Sequence, residues 1–286
     1  MESWTPSLRF GILGPVTVWR DHRVIPVPGA RARTVLAQLL LRPRAVVPTE
    51  HLIDALYPGR SPATARNQIH TGITKLRSIL GADASLIVTR AHGYLIDTPA
   101  ESIDAFRFRA LVLRAQDIAG DGHDEVVSAM LAEALSLWRG AALEDIGADL
   151  SSQTVMWDEL RISAMERHMT VELKRGRHNI VIPELRRLVA EYPLNERFHA
   201  QLMLALYCTG RHFEALDVYS VLYRRLIELG GEPGTEIRGL QTLILRHDVS
   251  LLPWPKSYRD VTSALGNNVI KEISGFGPGE TTGVPS

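Results

Sequence analysis

Between Ser61 and Gly81 the sequence reads SPATARNQIHTGITKLRSILG, and Arg66, Asn67, His70, Thr71, Thr74, Lys75 and Arg77 supply hydrogen-bond donors along it. The twenty-one residues contain no Asp or Glu. Amides, hydroxyls, an imidazole and cationic heads at helical spacing suit phosphate oxygens and base edges. A solvated helix face ordinarily mixes both charge signs, so an acid-free one points to a polyanion. Arg90 and His92 form a second, smaller set in the β-rich stretch LIVTRAHGYLID. At the tip of a hairpin they would reach a phosphate backbone or a minor groove.

Catalytic chemistry finds little support. The ten histidines are scattered, and there is no H-E-x-x-H, no G-x-S-x-G and no Cys/His cluster with zinc spacing. His51, His123, His168, His199 and His247 read as surface or packing residues. Gly275-Phe276-Gly277-Pro278-Gly279 has neither a strand before it nor a helix after it, so it is no phosphate loop. The expectation is a protein that is not an enzyme, with no catalytic residue, metal site or cofactor. Cys208, the single cysteine, lies in the apolar run LMLALYC and reads as a core thiol. It leaves no internal disulfide and fits a reducing compartment.

Net charge is zero over 286 residues, but it is unevenly spread. Residues 1–100 hold 12 Lys and Arg against 6 Asp and Glu, and residues 101–286 hold 20 against 26. A basic first third on an acidic remainder places the polyanion contact in the first third. The start, MESWTPSLRF, lacks a charged-then-apolar leader pattern, and no apolar run approaches a membrane span. A soluble, cytoplasmic, nucleoid-associated protein is expected.

The donor-bearing residues need elements to hold them. Ala65, Ile69, Ile73, Leu76 and Leu80 make one apolar stripe, so the stretch is an amphipathic helix. Ser61 reads as its N-cap, Pro62 as its first residue and Gly81 as its stop. Upstream, Ala30–Leu41 and a short helix from Thr49 place Val35, Leu36, Leu39, Leu40, Leu52, Ile53 and Leu56 inward. Two short helices, a turn and a longer donor-faced helix make a helix-turn-helix. Downstream, Ile87–Thr89 and Tyr94–Ile96 read as a hairpin turning at Ala91-His92-Gly93, which is a wing. At the start, Leu8, Phe10 and Ile12, then Val16 and Val18, alternate as strands, with a turn at Asp21-His22 before Val24, Ile25 and Val27.

After Thr98-Pro99-Ala100 the pattern is helical: 106–118, 126–138, 154–175, 196–208, 214–228 and 235–246, with 141–153 irregular. Gly176-Arg177-His178 recurs as Gly210-Arg211-His212, a period of 34, and Pro193 follows a helix. That is tetratricopeptide spacing, in which each helix pair buries its apolar face against the next. The fold class is mainly α with a small β component. A winged helix-turn-helix domain is expected over residues 1–98 and a helical-repeat domain over 103–252. The Gly-, Ser- and Pro-rich stretch 253–286 is expected to be a disordered tail.

Across roughly residues 6–252 the chain resembles the Streptomyces antibiotic regulatory protein family. The resemblance rests on LRFGILGPVTV, RARTVLAQLLL, HLIDALYPGRSPATARNQIHTGITKLRSILG and LIVTRAHGYLI in the first half, and on ALSLWRGAAL, AEYPLNERFHAQLMLALYCTGRHFEAL and EPGTEIRGLQTLILRHD in the second. It implies an OmpR-like winged helix-turn-helix followed by a bacterial transcriptional activator domain. The implied function is a pathway-specific activator of secondary-metabolite genes that binds direct repeats in promoter DNA and recruits RNA polymerase holoenzyme, with a homodimer on DNA as a further implied partner. By position, His70, Thr71 and Lys75 would read bases, and Asn67, Thr74 and Arg77 would hold phosphates. Lys75 stands where the wider class has Arg, which removes a bidentate fork, and Gly72 stands where the family often has an aromatic residue. The rival expectations are a helical scaffold binding protein only, or a repressor using the same DNA-binding domain.

Overall fold

The structure, a computed structural model, describes residues 8–120, 122–147 and 151–251. The expected tail, 253–286, lies outside the described residues. Among the described residues helices dominate, and six short strands make two small sheets. Over its described residues the chain forms two compact units. Among the described residues, one is drawn from 8–113 and 133–161, the other from 114–132 and 162–251.

The first unit opens with strands β1 (Leu8–Gly11), β2 (Thr17–Arg20) and β3 (Arg23–Ile25), paired antiparallel in that order. Leu8, Phe10 and Val18 are buried, as strand alternation requires. Asp21 and His22 take φ of 47° and 69° between the paired Arg20 and Arg23. Two successive positive φ values define the mirror-image turn whose twist matches its strands.

Helix α1 (Ala30–Leu40) packs on α2 (Thr49–Leu56) and on α3 (Ala65–Leu80), which also touch each other. Val35, Leu36, Leu39 and Leu40 of α1, Leu52 and Ile53 of α2, and Ile69, Ile73 and Leu76 of α3 are all buried where these helices pack. A second sheet, ordered β4-β6-β5, follows: β4 (Val47–Pro48), β5 (Ile87–Arg90) and β6 (Gly93–Ile96).

At α3 and the hairpin that follows it, the expected boundaries move. Helix α3 begins at Ala65, not at Ser61-Pro62, because a turn intervenes: Ala65 N–H donates to Pro62 O at 2.9 Å. The first ladder bond beyond it is Gln68 N–H to Thr64 O, 3.0 Å. The hairpin turn is Ala91-His92 alone, and Gly93 opens β6. A Cβ on Gly93 would stand 2.0 Å from Val47 O, so the missing side chain is what admits β4 to the sheet.

Part of the later sequence also belongs to this unit. Ile103 bridges Phe10 in parallel. Asp104, opening α4 (Asp104–Asp117), accepts from Ile12 N–H at 2.8 Å and Leu13 N–H at 3.2 Å. Burial pushes its carboxyl above the ordinary carboxylate range, against those two bonds and the nearby Arg139. Arg139 lies 4.8 Å over the Trp19 ring and donates to Pro15 O at 2.9 Å. Asp145 accepts from Val16 N–H at 2.8 Å and holds Arg33 at 2.7 Å. The β1–β2 loop is therefore pinned from three sides.

The remaining helices are α5 (Asp124–Ser136), α6 (Ser151–Lys174), α7 (His178–Glu191), α8 (Glu196–Cys208), α9 (His212–Glu228) and α10 (Thr235–Leu245). In the second unit α8 packs against both α7 and α9, and α10 packs on α8 and α9. The repeated glycines share one role. Gly176, Gly210 and Gly230 take φ of 74°, 78° and 79°. At each, the next residue's N–H returns to a carbonyl five back: Arg177 to Glu172, Arg211 to Leu206, Gly231 to Leu226. These are glycine-terminated helix caps, and the 34-residue period is the return of one cap and one helix pair.

Candidate nucleic-acid interface

Helix α3 separates its faces cleanly. Ala65, Ile69, Gly72, Ile73, Leu76 and Leu80 are buried, whereas Arg66, Asn67, His70, Thr71, Thr74 and Lys75 are exposed. Arg20 caps its far end, donating to Leu80 O at 2.6 Å and pairing with Asp83 at 2.9 Å. A cation on the last carbonyls of a helix satisfies orphan acceptors and opposes the dipole. Sequence reasoning missed Arg20, which fastens α3 to the first sheet; its partners lie 60 and 63 residues away.

The polar side chains are partly committed within the fold. Thr71 Oγ1 donates to Asn67 O and Thr74 Oγ1 to His70 O, both at 2.9 Å. Each hydroxyl oxygen keeps acceptor capacity facing outward. His70 Nδ1 lies 2.8 Å from Tyr94 Oη, ring edge toward ring face. Burial pushes the Tyr94 phenol above its ordinary value, against the neighbouring Arg77 and Arg66. The phenol thus keeps its proton, and the contact ties His70 through Nδ1 to β6 while the imidazole stays exposed.

Arg77 is only half-exposed. Its Nε and Nη2 donate to Ile87 O at 3.2 and 2.7 Å, and Nη2 also reaches Thr89 Oγ1 at 2.8 Å. The guanidinium is engaged by β5, so it holds the wing against α3. Arg66 is exposed but paired with Glu50, in the first turn of α2. The acid-free reading of α3 holds along the sequence and not in space, since α2 brings one carboxylate to the edge of the face. Arg90 and His92 are exposed beside and within the hairpin turn, and His92 O accepts from Thr49 N–H at 2.9 Å. The wing is thus tied to the start of α2.

A cleft of about 390 Å³ lies between the start of α1 and this face of α3, lined by Pro28–Ala32, Gln68, Thr71, Gly72 and Lys75. Gly72 forms its floor, and a Cβ there would meet only Val35, at 3.8 Å. With no side chain on Gly72 the cleft stays open on this side. Arg31, beside it, adds an exposed cation that sequence reasoning placed only near a helix start. Among the described residues no group of His, Cys, Asp and Glu could hold a metal ion, and no helix is long and apolar enough to cross a membrane.

Residues 103–245 match the family model described as the bacterial transcriptional activator domain. The chain is 36% identical over 253 residues to the regulatory protein AfsR of Streptomyces coelicolor, covering 87% of this chain and 25% of AfsR. It therefore spans about a quarter of the length of the AfsR proteins it matches. It is 32% identical to the regulatory protein DnrI of Streptomyces peucetius, covering 84% of this chain and 93% of that one. Among solved structures it is similar to Mycobacterium tuberculosis EmbR in complex with a low-affinity phosphopeptide, with a TM-score of 0.84, 29% identity, and coverage of 94% of this chain and 71% of that chain.

Proposed function

Because the chain belongs to the Streptomyces antibiotic regulatory protein family of transcriptional activators, we propose that it is a sequence-specific DNA-binding activator of secondary-metabolite biosynthesis genes. The observation that carries this reading is the exposed, donor-rich face of α3, rigidly seated on α1 and α2 and flanked by a cationic hairpin tip. Residues 1–98 act as the DNA-binding domain and 103–252 as the activator domain. Helix α3 enters the major groove, with the His70 imidazole, the Thr71 hydroxyl and Lys75 on base edges. Asn67 and Thr74 approach phosphates, as does Arg66 once Glu50 is displaced. An exposed ion pair is worth at most about 1 kcal/mol, so a phosphate competes readily for Arg66. Arg90 and His92 reach the adjacent backbone or minor groove, and Arg77 positions the wing.

Two copies sit side by side on direct repeats about one helical turn apart, so that both α3 helices enter from one side of the duplex. The helical repeats then recruit RNA polymerase holoenzyme, and the protein works in the cytoplasm at the nucleoid. Footprinting of the promoters beside the gene, with and without polymerase, tests this. The expected result is protection of a direct repeat that extends when polymerase is added. Protection of an inverted repeat, or affinity insensitive to salt, refutes it.

A further inference from the structure

Helix α9 carries an outward apolar stripe, broken by Ser220, in which Tyr223 stacks on the buried Tyr219. Phe213, Leu216, Ser220, Tyr223 and Ile227 succeed one another at steps of three, four, three and four, the seam spacing of paired helices. The face of α9 that is buried is a different one, built on Ala215, Tyr219 and Leu222. Phe213 is 90% exposed, and Tyr223 and Ile227 are 45% exposed each. Exposed large apolar side chains on one helix face, rimmed by charge, mark an association surface.

The charges along the rim identify the partner. Asp217 and Arg224 are exposed and lie seven residues apart on one edge of the stripe, the acid toward the N-terminal end. Among the described residues neither takes part in a salt bridge. If two such helices ran parallel, Asp217 would face Asp217 and Arg224 would face Arg224. Run antiparallel, each Asp217 meets an Arg224, Leu216 meets Ile227, and Tyr223 fills the space beside the small Ser220. The stripe is complementary to itself in this direction alone.

We infer that the α9 face pairs with the α9 face of a second copy of this chain, antiparallel about a two-fold axis midway between Ser220 and Tyr223. This contact is isologous, and a two-fold axis cannot relate neighbours on a direct repeat. It is therefore distinct from the side-by-side arrangement on one operator. It joins chains free in solution or chains seated on separate operators. A single helix pair buries little surface, so the association is weak, in the micromolar range.

Sedimentation velocity of the full chain from about 1 to 100 μM tests this, and a concentration-dependent dimer is expected over that range. Asp217→Arg and Arg224→Asp each place like charges opposite one another, and each reduces dimer formation at least tenfold. The double variant restores it. Affinity for DNA carrying one half-site stays unchanged in all of these, which separates loss of pairing from misfolding and from failure of the DNA-binding reading. A chain that stays monomeric throughout, single reversals that dimerise like the parent, or a double reversal that fails to rescue overturns the inference.

Discussion

Replacing Arg77 with alanine distinguishes a phosphate ligand from a pin that holds the wing. The side chain makes three hydrogen bonds to β5, two to Ile87 O and one to Thr89 Oγ1. Bonds from a charged donor contribute about 1.5–3 kcal/mol, and stranding an acceptor such as the Ile87 carbonyl costs about 1–3 kcal/mol. The two figures describe one loss from two sides and are not summed, and the guanidinium is half-exposed, so about 2 kcal/mol is expected. For a cooperative unit of this size that lowers Tm by roughly 4–8 °C. DNA affinity then falls equally on operator and random sequence, because the hairpin that carries Arg90 and His92 is less well held. The slope of log affinity against log salt stays as in the parent, whereas removing one phosphate contact would change it by about 0.9. Arg77→Lys keeps the charge without the fork and should behave like the alanine variant. Calorimetry and a salt series of gel shifts supply both readouts. An unchanged Tm with a slope reduced by about one contact, and recovery by lysine, would refute the reasoning.

Four further outcomes follow from the geometry. Gly93→Ala drives a Cβ into the Val47 backbone, separates β4 from β6 and lowers stability by about 1–3 kcal/mol, measurable by denaturant titration. Glu50→Gln releases Arg66 and removes an acid from the edge of the interface, so affinity for DNA rises up to about fivefold at low salt and less at high salt. Lys75→Ala reduces discrimination between operator and mismatched sites by about 1–3 kcal/mol in competition gel shifts while changing random-sequence binding far less. Burial works to raise the Glu172 carboxyl, but bonds from Ser128, Arg175 and Arg177 prevail and hold it below its ordinary value of 4.5. Its stabilisation is thus complete above that value and lost as pH falls through the lowered one. Melting curves between about pH 6 and about pH 3 should show this loss, and Glu172→Gln, less stable at neutral pH, should show a shallower acid limb.

The helices were legible because each is set by its own residues. The stripe Ala65, Ile69, Ile73, Leu76 and Leu80 needs only a period of 3.6 to declare itself, and all five are buried. The caps at Gly176 and Gly210 needed only a residue tolerant of positive φ in the right place. The start of α3 was misplaced because Ser61-Pro62 is as good a turn as it is a cap, and the choice depends on where Ala65 N–H finds its acceptor. Strand β4 was invisible, since two residues carry no period, and it exists only because Gly93 lets the Val47 carbonyl approach.

What the sequence determined by itself was the set of elements and the donor character of one helix face, since periodicity and turn chemistry act over a few neighbouring residues. What only the tertiary structure decided was which of those donors remain available. Arg77 is drawn to a strand ten residues away, Arg66 to a carboxylate sixteen residues away, and His70 to a phenol twenty-four residues away. Partners at such separations are fixed by where the packed backbone brings them, and a one-dimensional pattern carries no coordinate for that.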